Sequence, residues 1–195
     1  MPIRRARLLP ILAALLFLPA LAACTGRPDG VEPVQPFAAE RYVGRWYEIA
    51  RLDHRFERGL TNVTAEYALR PDGTVSVVNQ GFDPAACAWK RVEGTASFQE
   101  GPEVPSLSVT FFWPFAGGYH VFALDGKDYG WAAVSGPTTD YFWILARGPD
   151  LAEDVRRDLV DRAAKLGFAM EELILVDHAA PRCADGRPAP APPAA

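Results

Sequence analysis

Tyr42-Val43-Gly44-Arg45-Trp46-Tyr47-Glu48-Ile49-Ala50-Arg51 is the stretch on which the fold turns. Aromatic and branched side chains follow Gly44 and give way to Asp53 and His54, a pattern that predicts a strand over 45–52. Runs of the same kind recur downstream at 62–70, 74–81, 88–98, 106–112, 119–124, 129–135 and 140–147. Several are separated by turn-forming residues: Pro71-Asp72-Gly73, Asp83-Pro84, Gly101-Pro102, Asp125-Gly126 and Gly136-Pro137. Eight strands with short connections predict an all-β antiparallel meander. One helix follows, opened by Pro149 and Asp150, with Glu153 placed as in a capping box. Leu151, Val155, Leu159, Ala163 and Leu166 form its apolar stripe before Gly167 stops it. A helix apolar on one face packs on the outside of a sheet or barrel, and a short strand at 173–176 then returns the chain toward Cys183.

Eight antiparallel strands form either a sandwich with a filled core or a closed barrel wide enough for one small ligand. Periodicity does not choose between them. Trp46, Trp89, Trp113, Trp131 and Trp143 make an aromatic interior, which suits a cavity wall and an ordinary core equally.

The ends of the chain carry the cellular address. Arg4, Arg5 and Arg7 precede an apolar stretch from Leu8 to Leu21 broken by Pro10 and Pro19, the order of an export signal and too broken for a membrane span. Leu21-Ala22-Ala23-Cys24 resembles a lipobox. Residues 1–23 are therefore expected to be a lipoprotein signal peptide and Cys24 the lipidation site, with several acyl chains giving stable anchoring. Thr25 stands where inner-membrane retention would want Asp, so the expected location is the bacterial outer membrane. Glycines and prolines in 25–36 read as a tether, and the proline- and alanine-rich end after Cys183 reads as disordered. Removal of the leader leaves 172 residues, one domain's length, with 17 basic against 24 acidic side chains and a net charge of −7. That balance argues against nucleic acid and an anionic membrane surface as partners.

Cys87 and Cys183 remain as a pair in an oxidising compartment, where a disulfide is the economical reading. It would close a loop worth about 4–5 kcal/mol by chain entropy. Two free thiols or a metal site are the alternatives. His54, His120 and His178 lie at no short zinc-site spacing from either cysteine, so no metal and no cofactor is expected.

Three motifs in order resemble the lipocalin family. Gly44-Arg45-Trp46 matches the Gly-x-Trp that opens its first strand, and Asp53-His54-Arg55-Phe56-Glu57-Arg58-Gly59 resembles its bacterial outer-membrane lipoprotein branch. Thr139-Asp140-Tyr141 matches its second signature, and Trp143-Ile144-Leu145-Ala146-Arg147 carries the third. The likeness covers residues 37–178. It implies an eight-stranded antiparallel up-and-down barrel with one C-terminal helix packed outside, as a domain over 37–180 flanked by the tether 24–36 and the tail 181–195. It further implies that Arg147 lies across Trp46 to plug the narrow end, with Gly44 permitting close approach of the chain.

Ligand contacts are expected from inward positions. Alternation groups Ala65 with Tyr67 and Leu69, and Val75 with Val77 and Asn79. Similarity to the family member apolipoprotein D adds Tyr119 and Trp143 to Ala65 and Tyr67 as pocket wall. Asn79, if inside, needs a polar partner; if outside, it is an ordinary surface amide. Phe111-Phe112-Trp113-Pro114-Phe115 would line the mouth, touch a ligand, or lie against a membrane or a second copy of the domain. Homodimerisation stays open.

The resemblance implies binding, storage or transport of a single-chain lipid, a lysophospholipid or fatty acid, in envelope maintenance. Ten buried methylenes supply about 8 kcal/mol of gross transfer free energy. The alternative is a structural or partner-binding envelope lipoprotein with a filled barrel. An enzyme is not expected, because no nucleophile motif accompanies the histidines.

Overall fold

The computed structural model describes residues 25–193; the leader and Cys24 lie outside the described residues. A short helix α1 (Ala39–Tyr42) leads into strands β1 (Gly44–Arg51), β2 (Thr61–Leu69), β3 (Val75–Asp83), β4 (Ala88–Phe98), β5 (Ser106–Phe112), β6 (Phe115–Leu124), β7 (Trp131–Ser135) and β8 (Phe142–Ala146). Helix α2 (Glu153–Lys165) follows, then a 3₁₀ turn (Met170–Glu172) and β9 (Ile174–Leu175). Each strand pairs antiparallel with the next, and β1 pairs with both β8 and β2, so the sheet closes into an eight-stranded barrel; β9 adds to β1 outside the ring. Because the strands run alternately up and down, the connections 52–60, 84–87, 113–114 and 136–141 share one end, here the open end.

Strands β3, β6, β7 and β8 differ by two residues or more at one end from the expected spans, β6 most of all. Strand β6 begins at Phe115 rather than 119, because Phe112 pairs with Phe115 in a tight hairpin. Strand β7 begins at Trp131 rather than 129, because Tyr129 adopts φ 55° in the preceding turn. The expected capping box is absent: the helix starts after Ala152, which has no side-chain cap. At its other end Gly167 (φ 86°) completes a Schellman turn, in which Gly167 N donates to Ala164 O and Phe168 N to Ala163 O. Leu159 and Ala163 are fully buried against Ile49, Ala50, Ile144 and Phe142 on the outer wall.

Both ends of the described residues are packed. Residues 25–36 lie on the barrel instead of forming a free tether. Val31 is fully buried in the helix–barrel core, Val34 N donates to Val121 O, and Gln99 Nε2 donates to Thr25 O. His120 stands within 2.6 Å of Gly26 O through Nε2 and 3.0 Å of Ser106 Oγ through Nδ1, so the neutral ring with its proton on Nε2 satisfies both. Burial holds its pKa below the usual histidine value. The tail is also ordered by contacts that its composition does not reveal. A disulfide joins Cys183 to Cys87 in the β3–β4 turn, with Cα atoms 4.7 Å apart, Ala184 N donates to Pro84 O, and Trp89 Nε1 donates to Pro190 O at 2.8 Å.

Candidate ligand-binding site

Strand register fixes which side chains share the barrel interior, because paired residues point to the same face. Trp46 pairs with Ala65, Ala65 with Asn79 and Asn79 with Val92, giving one inward belt. A second runs Gly44, Tyr67, Val77, Gly94. Across the ring, Phe98 pairs with Leu107 and Leu107 with Tyr119, while Trp143 pairs with Val134. Ala65, Tyr67, Asn79, Tyr119 and Trp143 are thus brought together inside. The interior is filled at one end and hollow at the other. Trp46, Val121, Ala132, Val134 and Leu145 are buried, whereas Ala65, Tyr67, Asn79, Val92, Phe111, Tyr119 and Trp143 keep accessible surface although they face inward.

At the filled end, Arg147 lies with its guanidinium carbon 3.9 Å from the Trp46 ring centroid. It donates to Arg41 O at 2.7 Å and Arg45 O at 2.9 Å, tying α1 to β1. Gly44 (φ 90°) passes 3.6 Å from Arg147 Nη1, counted from where its Cβ would be, so the signature residues form the plug. Above them the hydroxyls of Tyr42, Tyr67 and Tyr119 make the floor of the hollow. Tyr67 Oη donates to Tyr119 Oη at 3.1 Å, and Tyr119 and Tyr42 Oη are 2.7 Å apart. Burial pushes all three phenols well up, so the floor stays uncharged.

The roof is a cluster of charges with no counterpart in the sequence reading. A bulge at Ile49 breaks the alternation of β1. Glu48 pairs with Leu145 and faces in; after the bulge Ala50 pairs with Ile144 facing out, and Arg51 pairs with Trp143 facing in. Arg51 Nη1 donates to Glu48 Oε1 at 2.8 Å, while Nη2 donates to Glu57 O and Leu60 O of the β1–β2 loop. Trp143 Nε1 donates to Glu57 Oε2 at 3.2 Å, and His54 Nε2 lies 2.9 Å from the same oxygen. Tyr141 stacks on Trp143 at 6.2 Å. Tyr141 closes the β7–β8 loop that also carries Thr139 and Asp140, the latter accepting from Thr138 Oγ1.

Burial, then the neighbouring Glu57, raise the Glu48 carboxyl well above its ordinary value against the pull of Arg51. Burial also acts upward on Glu57, but His54, Trp143 and the hydrogen bond from Glu48 outweigh it and hold Glu57 low. Within the pair the proton is favoured on Glu48 and the charge on Glu57. The signs give a prediction. Glu48, raised in the fold, contributes stability that is complete below its unfolded pKa of about 4.3 and is lost as pH rises through its folded value. Glu57, lowered, contributes stability above that unfolded value and loses it in acid. Glu48→Gln keeps a donor for Glu57 and an acceptor for Arg51, so it is expected to remove the alkaline loss and spare the acid one. Melting temperatures followed from roughly pH 2 to 9 check both limbs; equal alkaline slopes in both proteins would refute it.

Asn79 is the remaining polar group inside. Its Oδ1 is buried without a hydrogen-bond partner, as are Arg51 Nε and His54 Nδ1 in the roof. His178 and His120 serve the scaffold, His178 Nε2 bonding Glu48 O from outside. Of the aromatic segment, Phe111 packs inward over Gly94, where a Cβ would meet its ring at 2.7 Å. Phe112, Trp113 and Phe115 are exposed.

Comparisons agree with this architecture. The family described as lipocalin-like domain matches residues 37–178. The outer membrane lipoprotein Blc of Escherichia coli K12 is 46% identical over 174 residues, covering 88% of this chain and 98% of that one. The protein of the same name from Vibrio cholerae is 46% identical over 158 residues, 81% and 92% of the two chains. Apolipoprotein D of Bos taurus is 33% identical over 183 residues, 84% and 94%. Insecticyanin of the tobacco hornworm Manduca sexta matches at TM-score 0.64 and 21% identity over 82% of this chain and 91% of that one, a likeness of fold alone. Among the described residues no group of three or more His, Cys, Asp or Glu could hold a metal ion. Lipocalins are typically binding and transport proteins rather than enzymes, and the barrel is suited to a small hydrophobic ligand. Matched across its whole barrel and closely homologous to the Blc lipoproteins, which supports an outer-membrane location, the chain belongs to the lipocalin family.

Proposed function

We propose that this protein binds a single-chain lipid with its tail in the hollow half of the barrel, at the outer membrane, to which an acylated Cys24 attaches it after removal of residues 1–23. Ala65, Tyr67, Tyr119 and Trp143 supply the apolar wall and Asn79 the polar contact. The observation that carries the reading is Asn79 Oδ1, an acceptor buried in that wall without a donor. A buried acceptor left unmatched costs about 1–3 kcal/mol, and a ligand hydroxyl would relieve it. A lysophospholipid offers its free glycerol hydroxyl there, whereas an ionised fatty acid offers none; lysophospholipid is therefore the preferred ligand of the two.

The test is titration of the exported protein with lysophospholipids and fatty acids of graded chain length, followed by native mass spectrometry and tryptophan fluorescence. One-to-one binding with a chain-length optimum is expected. Asn79→Leu should weaken the lysophospholipid about 2- to 10-fold, the worth of one hydrogen bond, and leave fatty acid binding unchanged. A protein indifferent to every lipid, purifying with a stoichiometric protein partner, would replace this reading with a structural or partner-binding lipoprotein.

A further inference from the structure

The hairpin between β5 and β6 holds three large apolar side chains in solvent: Phe112 is 64% exposed, Trp113 88% and Phe115 77%. Phe111 immediately before them turns inward over Gly94, so the outer three contribute little to the barrel core. The hairpin lies at the open end, as does the β1–β2 loop, whose Phe56 is 60% exposed beneath the guanidinium of Arg55 at 4.8 Å. The opposite end has a different character. Its turns expose charged side chains of both signs, Asp72, Glu103 and Asp128 with Arg70 and Lys127, and among the described residues no exposed phenylalanine or tryptophan.

The start of the described chain lies along β6 between the two ends, with Thr25 O accepting from Gln99 on the side of the opposite end. A methyl group at Gly118 would stand 3.1 Å from Thr25 O and 2.7 Å from Gly26 O, so the segment lies directly on β6. Gly118 is three residues from Phe115, about 10 Å along the strand. Cys24 is one peptide beyond Thr25, about 3.8 Å between Cα atoms. The attachment point is therefore within on the order of 20 Å of the aromatic tip. Acyl chains entering a bilayer from there bring one end of the barrel to its surface, and only the open end is dressed for it. Exposed tryptophan beside phenylalanine and arginine is the composition of a membrane–water interface.

We propose that the open end docks on the phospholipid bilayer through Phe112, Trp113 and Phe115, with Phe56 alongside. The barrel mouth then faces the lipid surface, and a single-chain lipid passes between leaflet and cavity without its tail crossing bulk water. This rests on the acylation of Cys24 in the proposed function. A second copy of the domain covering the same three rings is the competing occupant.

The experiment uses the full chain, processed in its host and reconstituted into phosphatidylethanolamine–phosphatidylglycerol vesicles whose acyl chains are brominated. Mass spectrometry of the N-terminal peptide comes first, and an unmodified Cys24 would overturn the anchoring and the inference that rests on it. With the lipid present, brominated chains are expected to quench tryptophan emission, and Trp113→Tyr is expected to remove most of that quenching while lipid binding in the barrel persists. Equal quenching in the two proteins overturns the docking while leaving the anchor intact. A dimer in sedimentation that Phe112→Ser/Trp113→Ser/Phe115→Ser converts to monomer, with no quenching of Trp113, assigns the patch to a second copy instead.

Discussion

Arg51→Ala is expected to destabilise the domain by about 3–5 kcal/mol, because several buried acceptors lose a charged donor at about 1–3 kcal/mol each. Arg51 is 1% exposed. It satisfies Glu48 and two carbonyls of the β1–β2 loop, at Glu57 and Leu60. Its truncation would take a donor from all three, and Glu57 O alone would keep a backbone partner, the amide of Leu60. The loop would lose Arg51 as an attachment to β1 and keep Trp143, His54 and Glu48 as partners of Glu57. Chemical denaturation should show the fall, and hydrogen exchange should show the amides of residues 54–60 losing protection before the rest of the barrel. Because a domain is stable by only about 5–15 kcal/mol, the variant would sit near its limit. A loss under about 1 kcal/mol would mean that water reaches the cluster and screens it as it does surface pairs.

Trp46→Ala should cost a similar amount, about 3–5 kcal/mol, for a different reason. Trp46 is fully buried, donates to Tyr42 O at 2.8 Å, stacks 4.7 Å from the Tyr42 ring and carries Arg147 on its other face. Removing it opens a cavity at the filled end and leaves Arg147 without its ring. Trp46→Phe keeps most of the volume and loses the indole donor, so about 1–2 kcal/mol is expected from the unmatched carbonyl. Denaturant midpoints for the two variants check the order; a Phe variant as weak as the Ala variant would place the weight on the hydrogen bond rather than on packing.

The barrel was legible because its turns are written in Pro, Gly and Asp and its strands in aromatic and branched residues. Strands 88–98 and 106–112 were read at their observed limits for that reason. Pro114, Gly117 and Gly118 hid the start of β6, since breakers in a strand normally end it; here they make the hairpin and leave room for residues 25 and 26 to lie on the sheet. The tether and the tail were misread from composition alone: Val31 and the prolines after Cys183 take part in contacts to sequence-distant partners that no local pattern announces. Within the site, alternation grouped Ala65 with Tyr67 and Val77 with Asn79 but left the Glu48–Arg51 pair invisible. Residues three apart on a regular strand face opposite sides, and only the bulge at Ile49 turns both inward.

The packing of residues 25–36 determines how far the barrel can travel. A free linker of twelve glycine-rich residues would let a domain roam about 20 Å from its attachment. Here the chain is held from Thr25 onward by Gln99, His120 and Val121, so an anchor at Cys24 would act as a bracket rather than a leash. A bracketed barrel samples one patch of one leaflet, and its traffic in lipid is set by what diffuses to it in the plane, not by any excursion of its own.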